Sequence, residues 1–348
     1  MRKRPRFGRF LAVLPLLVIL LAAGWTGLWY VLAGRVAAQV LAWEQQQRAL
    51  GWIITQGPPR RSGWPLAAGV TLPGIRVSGG AQWLRGGLVW QADALKLAVD
   101  IRHLSDLYWG VTGRQTLTFG QGPAIPFQAT RFAGQLVLAP SGRPGLFQLH
   151  EAGLVAALRA ADGSAQRLSI ATMDAAAAAD GTADATADAL VVAARMTGLD
   201  LPPHSLPGLG PSLPSLAFDL ALSGPVPEQS ATPDPTAVTK AWRDAGGSLA
   251  LRKLHLAAGP LTVDGQGRFQ LDAFLRPEGM VALRLAGLDA MLAGLADDGT
   301  LTRPEATAIR AMLGLMMRPG GSDVLEAPVS LREGVVGLGA IPLLRLPL

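Results

Sequence analysis

With 348 residues, 49% of them apolar, the chain is long enough for two domains or one large β domain, and it has ample material for a core. Charged residues make up 16%, few for a freely soluble enzyme, while 42 glycines and 26 prolines favour turns and short elements over long helices. Arg2, Lys3, Arg4, Arg6 and Arg9 supply five positive charges of the net +6, so about +1 remains for the rest, and no basic stripe with interleaved aromatics marks a nucleic-acid interface.

The absence of cysteine excludes disulfides, thiolate metal sites, cysteine nucleophiles and a lipidated N-terminal cysteine. Behind the basic tail, residues 1–9, comes the uncharged run FLAVLPLLVILLAAGWTGLWYVLA from Phe10 to Ala33. As a helix its 24 residues reach about 36 Å, enough to cross a bilayer with some tilt. Trp25, Trp29 and Tyr30 cluster at its far end, where an aromatic belt meets the membrane interface. The preceding cations place the N-terminus in the cytoplasm. A cleaved signal peptide has a shorter apolar region, whereas this run continues well past Ala22 and Ala23. An uncleaved anchor is therefore expected.

Residues 34–56 read as a stalk. Val36, Val40, Leu41 and Trp43 have helical spacing, and GPPR from Gly57 stops the helix; a loose linker is the alternative. Residues 57–348 then form the exported β-rich domain. In SGWP, Ser62 to Pro65, Gly63 and Pro65 start the first strand, and Trp64 covers the sheet's open end. The functional alternative has Trp64 docking on a membrane surface or capping a groove.

Alternation with a period of two begins near Val70. Val89, Leu95, Leu97, Val99 and Ile101 share one parity, as do Phe132, Leu136 and Leu138, and then Leu216, Phe218, Leu220 and Leu222. The stretch Ala171 to Ala194, rich in Ala and Asp, reads as strand–loop–strand or as a helix, and a loop between strands is the preferred reading. Proline-rich sequence from Leu201 to Thr236 suggests irregular crossings, and any internal boundary falls within 201–240. From Gly246 the pattern switches phase. Leu249 and Leu251 lie on one parity, Leu254 and Leu256 on the other, so a β-bulge is expected between them. Phe269, Leu271, Val281, Leu283 and Leu285 continue an antiparallel meander. A short helix is expected over Leu288–Ala296. A second helix opens with the capping box of Thr302 and Glu305, and its stripe of Ile309, Met312, Leu313 and Met316 should pack on the sheet.

No local signature of catalysis emerges. His103, His150, His204 and His255 are far apart, and HEAGL from His150 lacks the second histidine of a zinc helix. The chain has no G-x-S-x-G elbow and no P-loop, and GLGPSL and GQGRFQ lack the third glycine of a dinucleotide fingerprint. The expectation is a non-enzymatic protein with no catalytic, cofactor or metal residues.

One resemblance rests on the anchor and stalk, on RSGWPLAAGVTLPGIRVSGG (Arg61 to Gly80), on WRDAGGSLALRKLHLAAGPLTVDGQGRFQLD (Trp242 to Asp272), on RPEGMVALRLAG (Arg276 to Gly287) and on the terminal VSLREGVVGLGAIPLLRLPL. With these the chain resembles the bacterial envelope family DUF2125, and in layout it is similar to the AsmA-like proteins. The resemblance implies an inner-membrane protein of the Gram-negative envelope, single-pass, with its bulk in the periplasm and a task in lipid handling or envelope homeostasis. It carries no catalytic residues.

The expected fold is mainly β with some α: a transmembrane helix, then a twisted, curved antiparallel sheet, groove or half-barrel, packed against a few helices. Val89, Leu95, Leu97, Leu216, Phe218, Leu220, Leu251, Leu256, Phe269 and Leu271 are the expected lining of the groove or core. Membrane lipid, phospholipid included, is the expected partner. The alternatives are a periplasmic scaffold that binds proteins at strand edges and a hydrolase whose carboxylates meet only in three dimensions.

Overall fold

The computed structural model describes the chain except for residues 1–6, 82–83, 161, 184–186, 226–233, 317–323, 339–340 and 346–348, and the side chains of residues 7–19, 235, 315–316 and 341–345. A helix, α1 (Phe7–Ala49), leads into strands β1 (Ile53–Thr55), β2 (Arg60–Ser62), β3 (Ala67–Gly79), β4 (Leu88–Asp100), β5 (His103–Phe119), β6 (Ile125–Gln128), β7 (Arg131–Leu138), β8 (Pro144–Arg159), β9 (Ala165–Ala179), β10 (Asp188–Asp200) and β11 (Ser212–Ser223). Then follow α2 (Pro235–Asp244), β12 (Ser248–Ala258), β13 (Leu261–Leu271), β14 (Pro277–Ala286), α3 (Leu288–Asp297), α4 (Arg303–Met316), β15 (Val324–Arg332), β16 (Val335–Leu338) and β17 (Ile341–Arg345).

The strands form one large antiparallel sheet in which nearly every strand pairs with its sequence neighbours. Short β1 and β2 both pair with β3, and short β6 fits between β5 and β8 beside β7. Pairing carries on from β10 through β11 to β12, across the proline-rich stretches. The accessible surface is 22130 Å². A compact globular chain of 36.3 kDa exposes only about 13,000 Å². The difference is what an extended sheet with little cover, and a long helix, would produce.

The first strands of the sheet are covered by α1. Val36, Ala37 and Val40 pack on the best-buried cluster, Val70, Leu72, Ile75, Ala92 and Val111. Among the described residues no helix is long and apolar enough to cross a membrane. Part of the expected span Phe10–Ala33, residues 10–19, lies outside the described side chains. The expected interface residues touch the sheet domain: Trp25 Nε1 donates to Pro65 O at 2.8 Å, Trp29 Nε1 donates to Ala67 O at 2.7 Å, and the Arg61 guanidinium lies 3.8 Å from the Tyr30 ring centre.

Other expectations are corrected. The alanine run of Ala175 to Ala179 is not loop but the end of β9, because β8 and β10 pair with it on both sides and override alanine's weak strand propensity. Among the described residues of that stretch, only Asp180–Ala183 and Ala187 lie outside the strands. The capping box forms as expected, with Thr302 N donating to Glu305 Oε2 at 2.8 Å. The stripe of α4 does not pack on the sheet, however. Ala306 is buried and Arg310 pairs with Asp289 of α3, while Ile309 and Met312 are exposed; the Met316 side chain lies outside the described ones. Trp64 does not cover the sheet's end either, being 58% exposed.

Candidate functional site

Residues paired across neighbouring strands point to the same face, so the register traces each face across the sheet. One row runs Val70, Leu97, Trp109, Gly134, Leu149, Ala175, Ala194, Phe218, Leu254, Gly265, Leu283 and Ala327, from β3 to β15. Every member is apolar. A parallel row, Phe132, Glu151, Met173, Met196, Leu216, Leu256, Val263, Leu285 and Leu325, departs from this only at Glu151.

The opposite face is polar. Its counterpart row runs His150, Asp174, Arg195, Ala217, His255, Asp264, Arg284 and Glu326. Cross-strand pairs tie it together: His150 Nδ1 to Asp174 Oδ1 at 2.7 Å, His255 Nδ1 to Asp264 Oδ1 at 2.8 Å, and Arg284 Nε to Glu326 Oε1 at 3.8 Å. On β13, Asp264, Gln266, Arg268 and Gln270 are exposed, while Val263, Phe269 and Leu271 between them are half-buried.

Two bulges keep the apolar face continuous. In β4 the register slips between Ala92 and Ala94. Asp93 accepts a hydrogen bond from Arg114 N at 2.7 Å, and Gly113 opposite it takes φ +86°, a conformation that any Cβ there, driven into the Asp93 carboxylate, would forbid. Trp90 and Ala92 before the slip therefore share a face with Leu95 and Leu97 after it. The second slip, between Leu251 and Leu254, lies where the phase switch placed it. Arg252 and Lys253 take up the extra length and stay exposed.

Of the expected lining residues, Leu95, Leu97, Leu216, Phe218, Leu220, Leu251, Leu256, Phe269 and Leu271 share the apolar face. Val89 does not. It pairs with Ser78 and Thr118 on the polar face, because the Asp93 bulge separates its parity from that of Leu95.

Sequence patterning missed three buried polar groups. Gln115, 2% exposed, accepts from Trp90 Nε1 at 3.2 Å. Glu44 of α1 and Glu151 of β8 are both buried, and desolvation holds both carboxyls above the ordinary carboxylate range; Arg48 partly offsets this for Glu44, and the Leu154 amide does so for Glu151. Glu151 and His150 point to opposite faces, so HEAGL makes no joint site. Among the described residues no three His, Asp or Glu gather as a metal site.

A raised carboxyl pKa favours the protonated folded state. Its stability contribution is complete below the unfolded value near 4.5 and is lost as pH rises through the folded value. Glu151→Gln should therefore melt at a higher temperature than the parent protein at pH 8, and the two curves should converge below pH 4.5. Thermal scans across pH check this. Equal melting at pH 8 would mean that the buried carboxylate carries no penalty.

These features define a class: a nearest-neighbour antiparallel sheet, exposed over much of its area, with one apolar face, one charged face and a long helix laid over its first strands. The family model for DUF2125, described as an uncharacterized protein conserved in bacteria, matches residues 29–347. The chain belongs to that family. Comparison with curated proteins and with solved structures found no match.

Proposed function

We propose that the protein is a non-enzymatic lipid-binding component of the bacterial envelope, held in the inner membrane by residues 10–33 with its N-terminus cytoplasmic and its sheet domain in the periplasm. The observation that carries the lipid reading is the apolar row from Val70 to Ala327. Between the strands under α1 and the buried Ala327 the members of this row are half-buried leucine, phenylalanine, alanine and glycine, with no polar side chain among them. The uncharged run Phe10–Ala33 and the cations before it support the anchor. Binding is passive. Each acyl methylene taken out of water contributes about 0.8 kcal/mol.

The test is photo-crosslinking in living cells, with a benzophenone amino acid at Phe218 on the apolar face or at Gln266 on the polar face. Phospholipid adducts at 218 and none at 266 are expected. A protein adduct at 218 without lipid would replace this reading with a scaffold that binds envelope proteins.

One observation favours a second reading. Ser215 Oγ lies 3.1 Å from His255 Nε2, whose Nδ1 faces Asp264. This is the connectivity of a serine-hydrolase triad, beside a shallow depression of about 350 Å³ that includes Ala217 and Lys253. Against it, β11 is paired on both sides, so the amides around Ser215 are engaged and cannot cradle an oxyanion. Asp264 also fits as one rung of the charged ladder. A fluorophosphonate probe should leave the protein unlabelled; labelling that disappears in Ser215→Ala would make it an enzyme.

A further inference from the structure

We infer that the loop Gly63–Leu66 and the adjoining tip of the β4–β5 hairpin, Ile101–Leu104, form a foot that dips into the lipid bilayer beside α1. The inference rests on the anchored reading above. It adds which end of the sheet meets the membrane and which side chains enter it.

The strand order makes these two segments neighbours. Ala67, which follows the loop, pairs with Asp100, which precedes the turn. Between them they expose Trp64 (58%), Leu66 (66%) and Leu104 (62%). Three large apolar side chains at the tip of one end are costly in water, and among the described residues nothing covers them.

The opposite end exposes Leu84 and Phe119 as well, so exposure alone does not choose between the ends. The helix does. α1 runs along β3 in the same direction, with Trp25 bonded to Pro65 O and Trp29 to Ala67 O at the start of the strand. Its second half lies farther along, where Val36 and Val40 meet the core cluster. The part of the helix before Trp25 therefore leaves the domain at the end that carries Trp64, and Leu20 and Leu21 on it are exposed.

Two of the aromatic residues expected at a bilayer boundary are thus fastened by indole hydrogen bonds, Trp25 to the loop and Trp29 to the first residue of β3. Arg61 lies over the Tyr30 ring at the level where phosphate headgroups would stand. A foot built of Trp, Leu and Leu, set beside a helix with an aromatic belt and a fixed arginine, suits the boundary between headgroups and acyl chains, with the tips about 5–10 Å deep. It also aims the apolar face. Val99 and Leu107, paired near this end of β4 and β5, become the part of that face closest to the bilayer.

The chain contains no cysteine, so single labels can be placed without removing native thiols. Leu66→Cys, Leu104→Cys, Leu84→Cys and Leu21→Cys would each carry an environment-sensitive nitrobenzoxadiazole dye. The full chain would be reconstituted into vesicles of phosphatidylethanolamine and phosphatidylglycerol, with and without lipids spin-labelled near the headgroup. Expected are blue-shifted emission and loss of fluorescence to the spin label at 66 and 104, as at 21, and neither change at 84. Quenching at 21 with none at 66 and 104 would overturn the foot and leave the anchor standing. No quenching at 21 would overturn both. Quenching at 84 equal to that at 66 would show adventitious dye insertion and overturn the assignment of this end.

Discussion

Gly134→Val should lower the unfolding free energy by about 3 kcal/mol or more, enough to threaten the fold of a marginally stable domain. Gly134 sits on the apolar face between Trp109 of β5 and Leu149 of β8. A Cβ there would penetrate the Gln148 carbonyl oxygen and lie 2.6 Å from Trp109 Cζ2. The indole has taken the place a side chain would fill. It stacks on Phe147 at a ring-centre distance of 5.6 Å and meets Phe132 edge-on at 5.8 Å. Moving it would break both aromatic contacts and the strand pairing beneath. Denaturant titration gives the measurement. Gly314→Ala is the contrast: nothing lies within 4 Å of its added Cβ, and in a helix the change should stabilise by about 0.5–1 kcal/mol. If Gly134→Val unfolds at the parent midpoint, the packing described for this face is wrong.

The second large effect falls on ligand rather than fold. Leu254→Asp places a carboxylate in the middle of the apolar row, with Phe218 on one side and Gly265 on the other. Leu254 is only half-buried, so water can solvate the charge and the sheet should survive. An acyl chain lying across that position would instead desolvate it, and lipid capture at Phe218 should fall about tenfold or more. Gln266→Asp, on the polar face of the neighbouring strand, should leave capture unchanged. The readout is the yield of lipid adduct from the benzophenone at Phe218. Equal yields from both variants would take the lipid off this face.

Much of this face was legible because local pattern and long-range pairing agree along it. From Leu216 to Leu222 the alternation is clean, and the structure keeps it. The switch between Leu251 and Leu254 was legible too, since the bulge residues Arg252 and Lys253 are charged and mark themselves as outward. The bulge at Asp93 left no such mark. It depends on Gly113, twenty residues later, and an aspartate inside an alternating run looks like any outward residue, so Val89 went to the wrong face. Glu151 was illegible for a different reason. Nothing local distinguishes a strand glutamate that points inward from one that points to water, and only the register with Phe132 and Met173 does so. The exposed stripe of α4 misled because a 3.6-residue period reports an apolar side, not what covers it. The hold of α1 on the sheet was equally invisible: Trp25 and Trp29 read as membrane-belt residues, and their indole bonds reach carbonyls about forty positions away.

The nearest-neighbour order of the strands makes the breadth of the sheet a countable property of the chain. Because β8 through β16 each pair with the strand before and the strand after, a hairpin can be inserted or deleted at the turns between them without rerouting the rest. Each such unit would change the span by two strands, about 10 Å. Relatives of different length would then be rulers of different reach, cut from one repeating plan.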